Sequence, residues 1–160
     1  MDTTSVSMQL FAVGSVSSPR TDPDDTTGWG DVVARIDLVA ELGTESLVGL
    51  ADFSHVEVLF WFDRVVRRSD HTGTSRARGR ADMPLIGVFA ARGPNRPNPV
   101  GVSVCRIEDV GDTWITVRGL DAVDGTPVLD LKPVMPRLLP DRVEEPGWST
   151  LLMHDYYERD

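Results

Sequence analysis

Alternation of apolar and polar positions, the two-residue period of a strand with one buried face, recurs through most of this chain. Val32–Val39 (VVARIDLV) and Val100–Ile107 carry it, and His55–Val65 (HVEVLFWFDRV) adds the valine, leucine, tryptophan and phenylalanine that suit a pleated, half-buried surface. Met8–Ser15, Leu85–Ala90, Trp114–Val117 and Pro127–Lys132 are apolar runs bounded by turn-formers and also read as strands, Leu85–Ala90 as a buried one. Ser17–Asp31, crowded with Pro, Asp, Thr and Gly, predicts a long exposed loop, as does Val66–Pro84. Thr44–Leu50, opened by a threonine that suits a helix cap, predicts one or two helical turns. The amphipathic Trp148–Tyr157 predicts a short helix in the tail. About seven strands with minor helix predict an all-β fold, a small antiparallel barrel with long Gly/Pro loops. Residues 1–136 would form that barrel and 137–160 a C-terminal extension. No G-x-G-x-x-G follows a strand, so a Rossmann site is not expected.

Charge changes the picture more than composition does. A net charge of −9 argues against an indiscriminate polyanion binder. Yet from Asp63 to Arg96 eight of the fifteen arginines stand against three aspartates, a local excess of five positive charges in an otherwise acidic chain. That window is either a solvated arginine-rich surface or a patch for a phosphate or polyanion. The single cysteine, Cys105, lies within an apolar strand, has no intrachain disulfide partner, and reads as a buried small hydrophobe. No run of 18 apolar residues predicts a membrane span, and MDTTSVSMQLF lacks the basic flank and apolar stretch of a signal peptide; a cytoplasmic protein is expected.

Metal and nucleophile chemistry find little support. His55, His71 and His154 are far apart and none sits at ligand spacing with another His or a Cys, so no metal is expected. There is no G-x-S-x-G elbow. His55, at the start of the strongest strand, reads most simply as a ring that hydrogen-bonds locally. Asp130 and Lys132 stand two apart on a strand and therefore share a face, where an ion pair accounts for both. The stretch RGPNRPNPVGVSV, Arg92–Val104, is more unusual: three prolines hold a polar loop rigid at the entry to a strand, a common way to present binding groups.

Three segments taken in order carry a family signature. GLADFSHVEVLFWF, GVFAARGPNRPNPVG and LDAVDGTPVLDLKP resemble the successive blocks of the TsaA/TrmO family of β-barrel S-adenosylmethionine-dependent methyltransferases, and the resemblance runs from about Leu10 to Pro136. It implies a homodimer with S-adenosyl-L-methionine bound near the subunit junction, and methylation of the N6 nitrogen of threonylcarbamoyl-adenosine in tRNA. Carried over by matching position, the cofactor contacts fall at Arg20, Phe62, Asp63, Arg64, Arg92, Leu120, Asp121, Val123 and Thr126. Arg96, Asn98 and His55 match the motifs as substrate-side positions. Apart from the resemblance, Asp63 is the candidate for polarising the acceptor. Guanidinium geometry suits Arg92 to the carboxylate of the cofactor's amino-acid end. Methyl transfer needs in-line positioning more than acid–base help, so no catalytic dyad is expected. The chain departs from the family where P-R-Q is usual: it reads Pro19-Arg20-Thr21, with an acidic run following and Trp29 placed to wall the site instead. The net acidity disfavours a large tRNA footprint, and the basic window offsets it. Methylation of a small molecule, or cofactor binding without catalysis, are the alternatives.

Overall fold

The computed structural model describes residues 8–65 and 73–158. Its elements are β1 (Gly14–Ser17), β2 (Val33–Leu38), β3 (His55–Trp61), β4 (Thr74–Arg76), β5 (Leu85–Gly87), β6 (Val100–Val110), β7 (Trp114–Arg118), β8 (Pro127–Pro133) and one helix, α1 (Gly147–Met153). Six strands close into an antiparallel barrel in the order β1-β2-β7-β6-β3-β8, while β4 and β5 pair as a separate two-stranded sheet. Closure leaves the barrel no free edge, which removes the usual template for strand-to-strand aggregation.

The alternation seen in the sequence is the alternation of the wall. Val56, Val58 and Phe60 of β3 point inward, as do Ile36 of β2, Ile115 and Val117 of β7 and Val128 of β8, all essentially without solvent contact. On β6 the inward positions are Gly101, Ser103 and Cys105. Gly101 is small for a reason: a Cβ there would come within 2.3 Å of the Phe60 ring, which lies flat against the bare backbone. β6 spans eleven residues because it serves two neighbours, β3 through Val100–Arg106 and β7 through Arg106–Val110, with a register shift between Ile107 and Asp109 that bends it around the barrel.

The expected all-β barrel is therefore present, with several boundaries redrawn. Pairing of β1 begins only at Gly14, opposite Leu38 and Val128; the preceding apolar Met8, Leu10 and Phe11 are exposed, since apolar residues without a partner strand make no sheet. Leu85–Ala90 is neither buried nor part of the barrel. Its strand ends at Gly87, pairs with Thr74–Arg76 inside the stretch read as loop, and leaves Leu85 and Phe89 exposed, because the closed barrel has no edge to offer it. Thr44–Gly49 forms successive turns leading into a 3-10 turn at Leu50–Asp52, without an α-helix. In the tail, α1 stops at Met153 and the chain turns back toward the barrel. The expected Lys132–Asp130 ion pair is formed at 2.6 Å.

Candidate functional site

One end of the barrel collects most of the residues singled out in the sequence, and backbone pairing explains how. β1 leaves the wall at Ser17, β3 at Trp61, and β8 enters it at Pro127, so the loops after β1 and β3 and the loop before β8 share a rim. The Val123–Thr126 turn is closed by the Thr126 N–H on Val123 O at 3.2 Å, with Gly125 at φ +80 in the left-handed region that favours glycine. The N–H of Gly125 donates to Val16 O and that of Asp124 to Arg20 O, both at 2.7 Å. The Asp124 carboxylate in turn accepts the Ser18 N–H at 3.0 Å. The first loop and the D-G turn are thus one hydrogen-bonded unit.

Arg64 fastens the loop after β3 to this unit. Its guanidinium donates to Thr21 O at 3.1 Å and to Asp124 O at 2.5 Å. Phe62 donates its N–H to Pro99 O at 2.9 Å and packs edge-on against Phe60, with ring centroids 5.1 Å apart. The rigid R-P-N-P loop is thereby stitched to the exit of β3, with Asp63 exposed beside it. Arg20 folds inward, pairing with Asp25, donating to Gly28 O at 2.9 Å and lying over the buried Trp29 ring at 5.1 Å. Trp29 is buried within the first loop, beneath Arg20.

Leu120 is fully buried in the core. Thr126 is also buried, whereas Val123 is half-exposed. Asp121 has a distinctive environment. One carboxylate oxygen accepts the hydroxyl of the buried Ser103 and the other accepts the Tyr156 hydroxyl at 2.5 Å. Among the described residues no lysine or arginine pairs with it. A carboxylate held by neutral donors keeps its charge for something else, and a cationic ligand such as a sulfonium or an ammonium fits that place.

The arginines of the basic window show the converse. Among the described residues Arg80 alone of them is ion-paired, with Asp82 at 2.6 Å. Arg64, Arg76, Arg92 and Arg96 donate to peptide carbonyls, of Asp124, Met83, Val102 and Ala91 respectively, which orients the guanidinium without cancelling its charge. Arg67 and Arg68 lie outside the described residues. Asn98 is exposed on the R-P-N-P loop, its carbonyl accepting the Val100 N–H at 2.7 Å. His55 is not brought to this rim. It starts β3 where Phe62 follows its end, about 20 Å away at the usual rise per strand residue, and its Nδ1 lies 2.8 Å from Ser54 Oγ.

Two participants escaped the sequence reading. Ser103 had a signal, a hydroxyl at an inward position of an alternating strand, where a buried polar group needs a partner. Tyr156 had none, because nothing local in the tail says that it returns to the barrel. The thiol at Cys105 is buried, and burial together with Asp121 pushes it up to about 12, which excludes a thiolate nucleophile at neutral pH. The described residues contain no cluster of three metal-ligating side chains.

Comparison with known proteins identifies a family and a fold. Residues 15–138 match the tRNA-methyltransferase O N-terminal domain. The chain is 36% identical over 126 residues to the probable S-adenosyl-L-methionine-binding protein VirR of Rhizobium radiobacter, covering 78% of this chain and 69% of that one. It is 36% identical over 107 residues to the tRNA (adenine(37)-N6)-methyltransferase of Homo sapiens, covering 63% of this chain and 23% of that one. The crystal structure of TrmO from Pseudomonas aeruginosa superimposes with a TM-score of 0.73 at 28% identity, over 90% of this chain and 63% of that chain.

Proposed function

The chain belongs to the tRNA-methyltransferase O N-terminal domain family, and from that premise we propose that it is an S-adenosyl-L-methionine-dependent methyltransferase acting on the N6 nitrogen of threonylcarbamoyl-adenosine in tRNA. One observation carries the reading. A single rim holds Asp121, a carboxylate with no cationic partner among the described residues, and Arg64, Arg92 and Arg96, which no carboxylate neutralises among the described residues. The first suits the cationic side of a cofactor, and of the second Arg92 suits the cofactor's carboxylate and Arg64 and Arg96 a phosphate-bearing acceptor. The names of the relatives support both halves, as binders of that cofactor and as tRNA methyltransferases.

The cofactor, when bound, supplies a methyl group on a positively charged sulfur. The chain's part is to bind and orient. Asp121 holds the cationic side, Arg92 meets the cofactor's carboxylate, and the backbone of Leu120, Val123 and Thr126 together with Phe62 frames the adenosine. Arg20 and Trp29 close the wall, the former through its bonds to the first loop. Asp63, exposed at the exit of β3, accepts a hydrogen bond from the acceptor amine, and Arg96 and Asn98 sit on the loop that meets the nucleic acid. Rate then comes from alignment rather than from an acid–base pair.

The protein works as a homodimer, for which the outward face of β6 offers exposed Val102 and Val104 close to the rim. Residues 1–136 act as the catalytic barrel. The net charge of −9 and the acidic run Asp22–Asp25 favour, as a second reading, a small acceptor or binding without transfer. Labelled S-adenosyl-L-methionine incubated with threonylcarbamoylated tRNA separates them. The proposal expects label in the tRNA, as one added methyl on that nucleoside by mass spectrometry. Cofactor binding by calorimetry with no label in tRNA would overturn the tRNA reading, and undiminished cofactor affinity in Arg92→Ala would overturn the placement of the carboxylate.

A further inference from the structure

The tail returns to the barrel in a defined way. The N–H groups of Gly28, Trp29 and Gly30 donate to the carbonyls of Asp155, Tyr156 and Tyr157 at 3.0, 2.9 and 2.8 Å, so Asp155–Tyr157 lies along the first loop as a short strap. Gly30 permits the approach, since a Cβ there would meet Tyr157 O at 2.3 Å. From the strap the Tyr156 hydroxyl reaches the Asp121 carboxylate at 2.5 Å. Arg78 lies over the Tyr156 ring at 5.0 Å, and its backbone is held at φ +50, a left-handed conformation that costs an arginine strain. Burial and the nearby Asp121 push the Tyr157 phenol up to about 12, while Arg92 acts in the opposite sense.

We infer that the Asp155–Tyr157 strap is a wall of the cofactor site and that Tyr156 is a positioning residue, acting through Asp121. The inference rests on the reading of this rim as the cofactor site. Three features support a wall. Ser103 from the strand and Tyr156 from the strap each hold one oxygen of the carboxylate, which fixes the plane in which its remaining lone pairs face a ligand. Both donors are neutral, so they orient the anion without discharging it. The strap also touches the first loop at Trp29, the turn carrying Arg78, and Asp121 at once. A group positioned from both sides loses less freedom when its ligand arrives, and affinity gains accordingly.

The test uses the full chain and measures S-adenosyl-L-methionine affinity by calorimetry in Tyr156→Phe, Asp121→Asn and the double variant, with thermal unfolding to confirm that each folds. Phe keeps the ring under Arg78 and loses only the bond to Asp121. The expected result is an affinity about tenfold weaker for Tyr156→Phe, the usual scale for a hydrogen bond to a charged group. Adding that change to Asp121→Asn should cost nothing further, since the two act as one unit. Gly30→Ala, which lifts the strap by its backbone, should reproduce the loss. Unchanged affinity in Tyr156→Phe, or additive losses in the double variant, would overturn the inference. Tighter binding in Tyr156→Phe or Gly30→Ala would also overturn it, by making the strap a plug. Failure of the unaltered protein to bind would instead overturn the reading of the rim, and the inference with it.

Discussion

The two ends of the barrel are built from the same six strands and differ in almost everything else. At the rim described above, loops are fastened to each other by backbone and guanidinium hydrogen bonds, and among the described residues charge is left uncancelled on Asp121 and on several arginines. The opposite end is apolar. There the turns of Thr44–Asp52 fold across the opening, Leu47 is buried, and Val13, Leu38, Leu50, Phe53 and Leu131 line an open cavity of about 460 Å³. Local turn hydrogen bonds and apolar packing order that end, whereas hydrogen bonds between separate loops order the rim. One end of the barrel thus packs apolar side chains and the other carries charge, and because local stability varies across a structure the wall either couples the two or leaves them independent.

The largest expected effect tests that division directly. Leu50→Ala, at the apolar end, should lower unfolding free energy in urea by about 2 kcal/mol while leaving cofactor affinity unchanged. Arg64→Ala should do the reverse. It frees Thr21 O and Asp124 O, lets the loop after β3 part from the first loop, and weakens cofactor binding about tenfold with little change in the unfolding midpoint. If both variants lost stability and affinity together, the two ends would be one cooperative unit and the contrast would be wrong.

The same contrast decides what the sequence made legible. Wall residues announce themselves because alternation follows from one face being buried; Val56, Val58, Phe60, Ile115 and Val117 all lie where the two-residue period places them. Motif residues at the rim, Phe62, Arg64, Asp121 and Thr126, were legible through the resemblance, and pairing along β1, β3 and β8 brings their loops together. Ordinary periodicity failed at the margins. Leu85–Ala90 is apolar enough for a core strand, but a barrel already closed has no edge for it. Tyr156 was illegible because its contact with Asp121 spans 35 residues and depends on the tail's return, which no local pattern encodes. His55 matched its motif and nevertheless stands at the far end, since a motif gives order along a strand and not the side of the barrel on which each end emerges.

A smaller effect comes from the wall itself. Cys105 is fully buried, and burial followed by the Asp121 charge raises its thiol from an ordinary value near 9 to about 12. Between those values the unfolded chain ionises while the native one stays neutral, so the unfolded state binds fewer protons and stability falls as pH rises. Tyr156 and Tyr157 are raised as well and act in the same direction, but mainly from their ordinary value near 10 upward. From pH 9 to 10 the thiol is therefore the largest single contributor, with a smaller share from the two phenols as they begin to ionise in the unfolded chain. Its share of the fall in unfolding free energy there is about 1 kcal/mol, and Cys105→Ala should make the slope shallower by that amount. An undiminished slope in the variant would assign it to other groups.

The smallest expected effect is none, and it asks whether the two ends belong to one subunit's site or two. His55 is bonded to Ser54 and separated from Phe62 by the length of β3, so within one chain it cannot touch a ligand at the rim. His55→Asn should leave cofactor affinity within about twofold of the unaltered protein by calorimetry, well under the 1.4 kcal/mol of a tenfold change. A homodimer makes this more than a control. Two copies related by a twofold axis present the same patch to each other, and an axis that set the apolar end of one against the rim of the other would return His55 to the ligand across the junction. Light scattering alongside the titration separates the cases. Unchanged affinity in a confirmed dimer keeps the apolar end structural. A tenfold loss that disappears when the dimer is diluted to monomers would turn the difference between two ends of one barrel into a division of labour between two subunits.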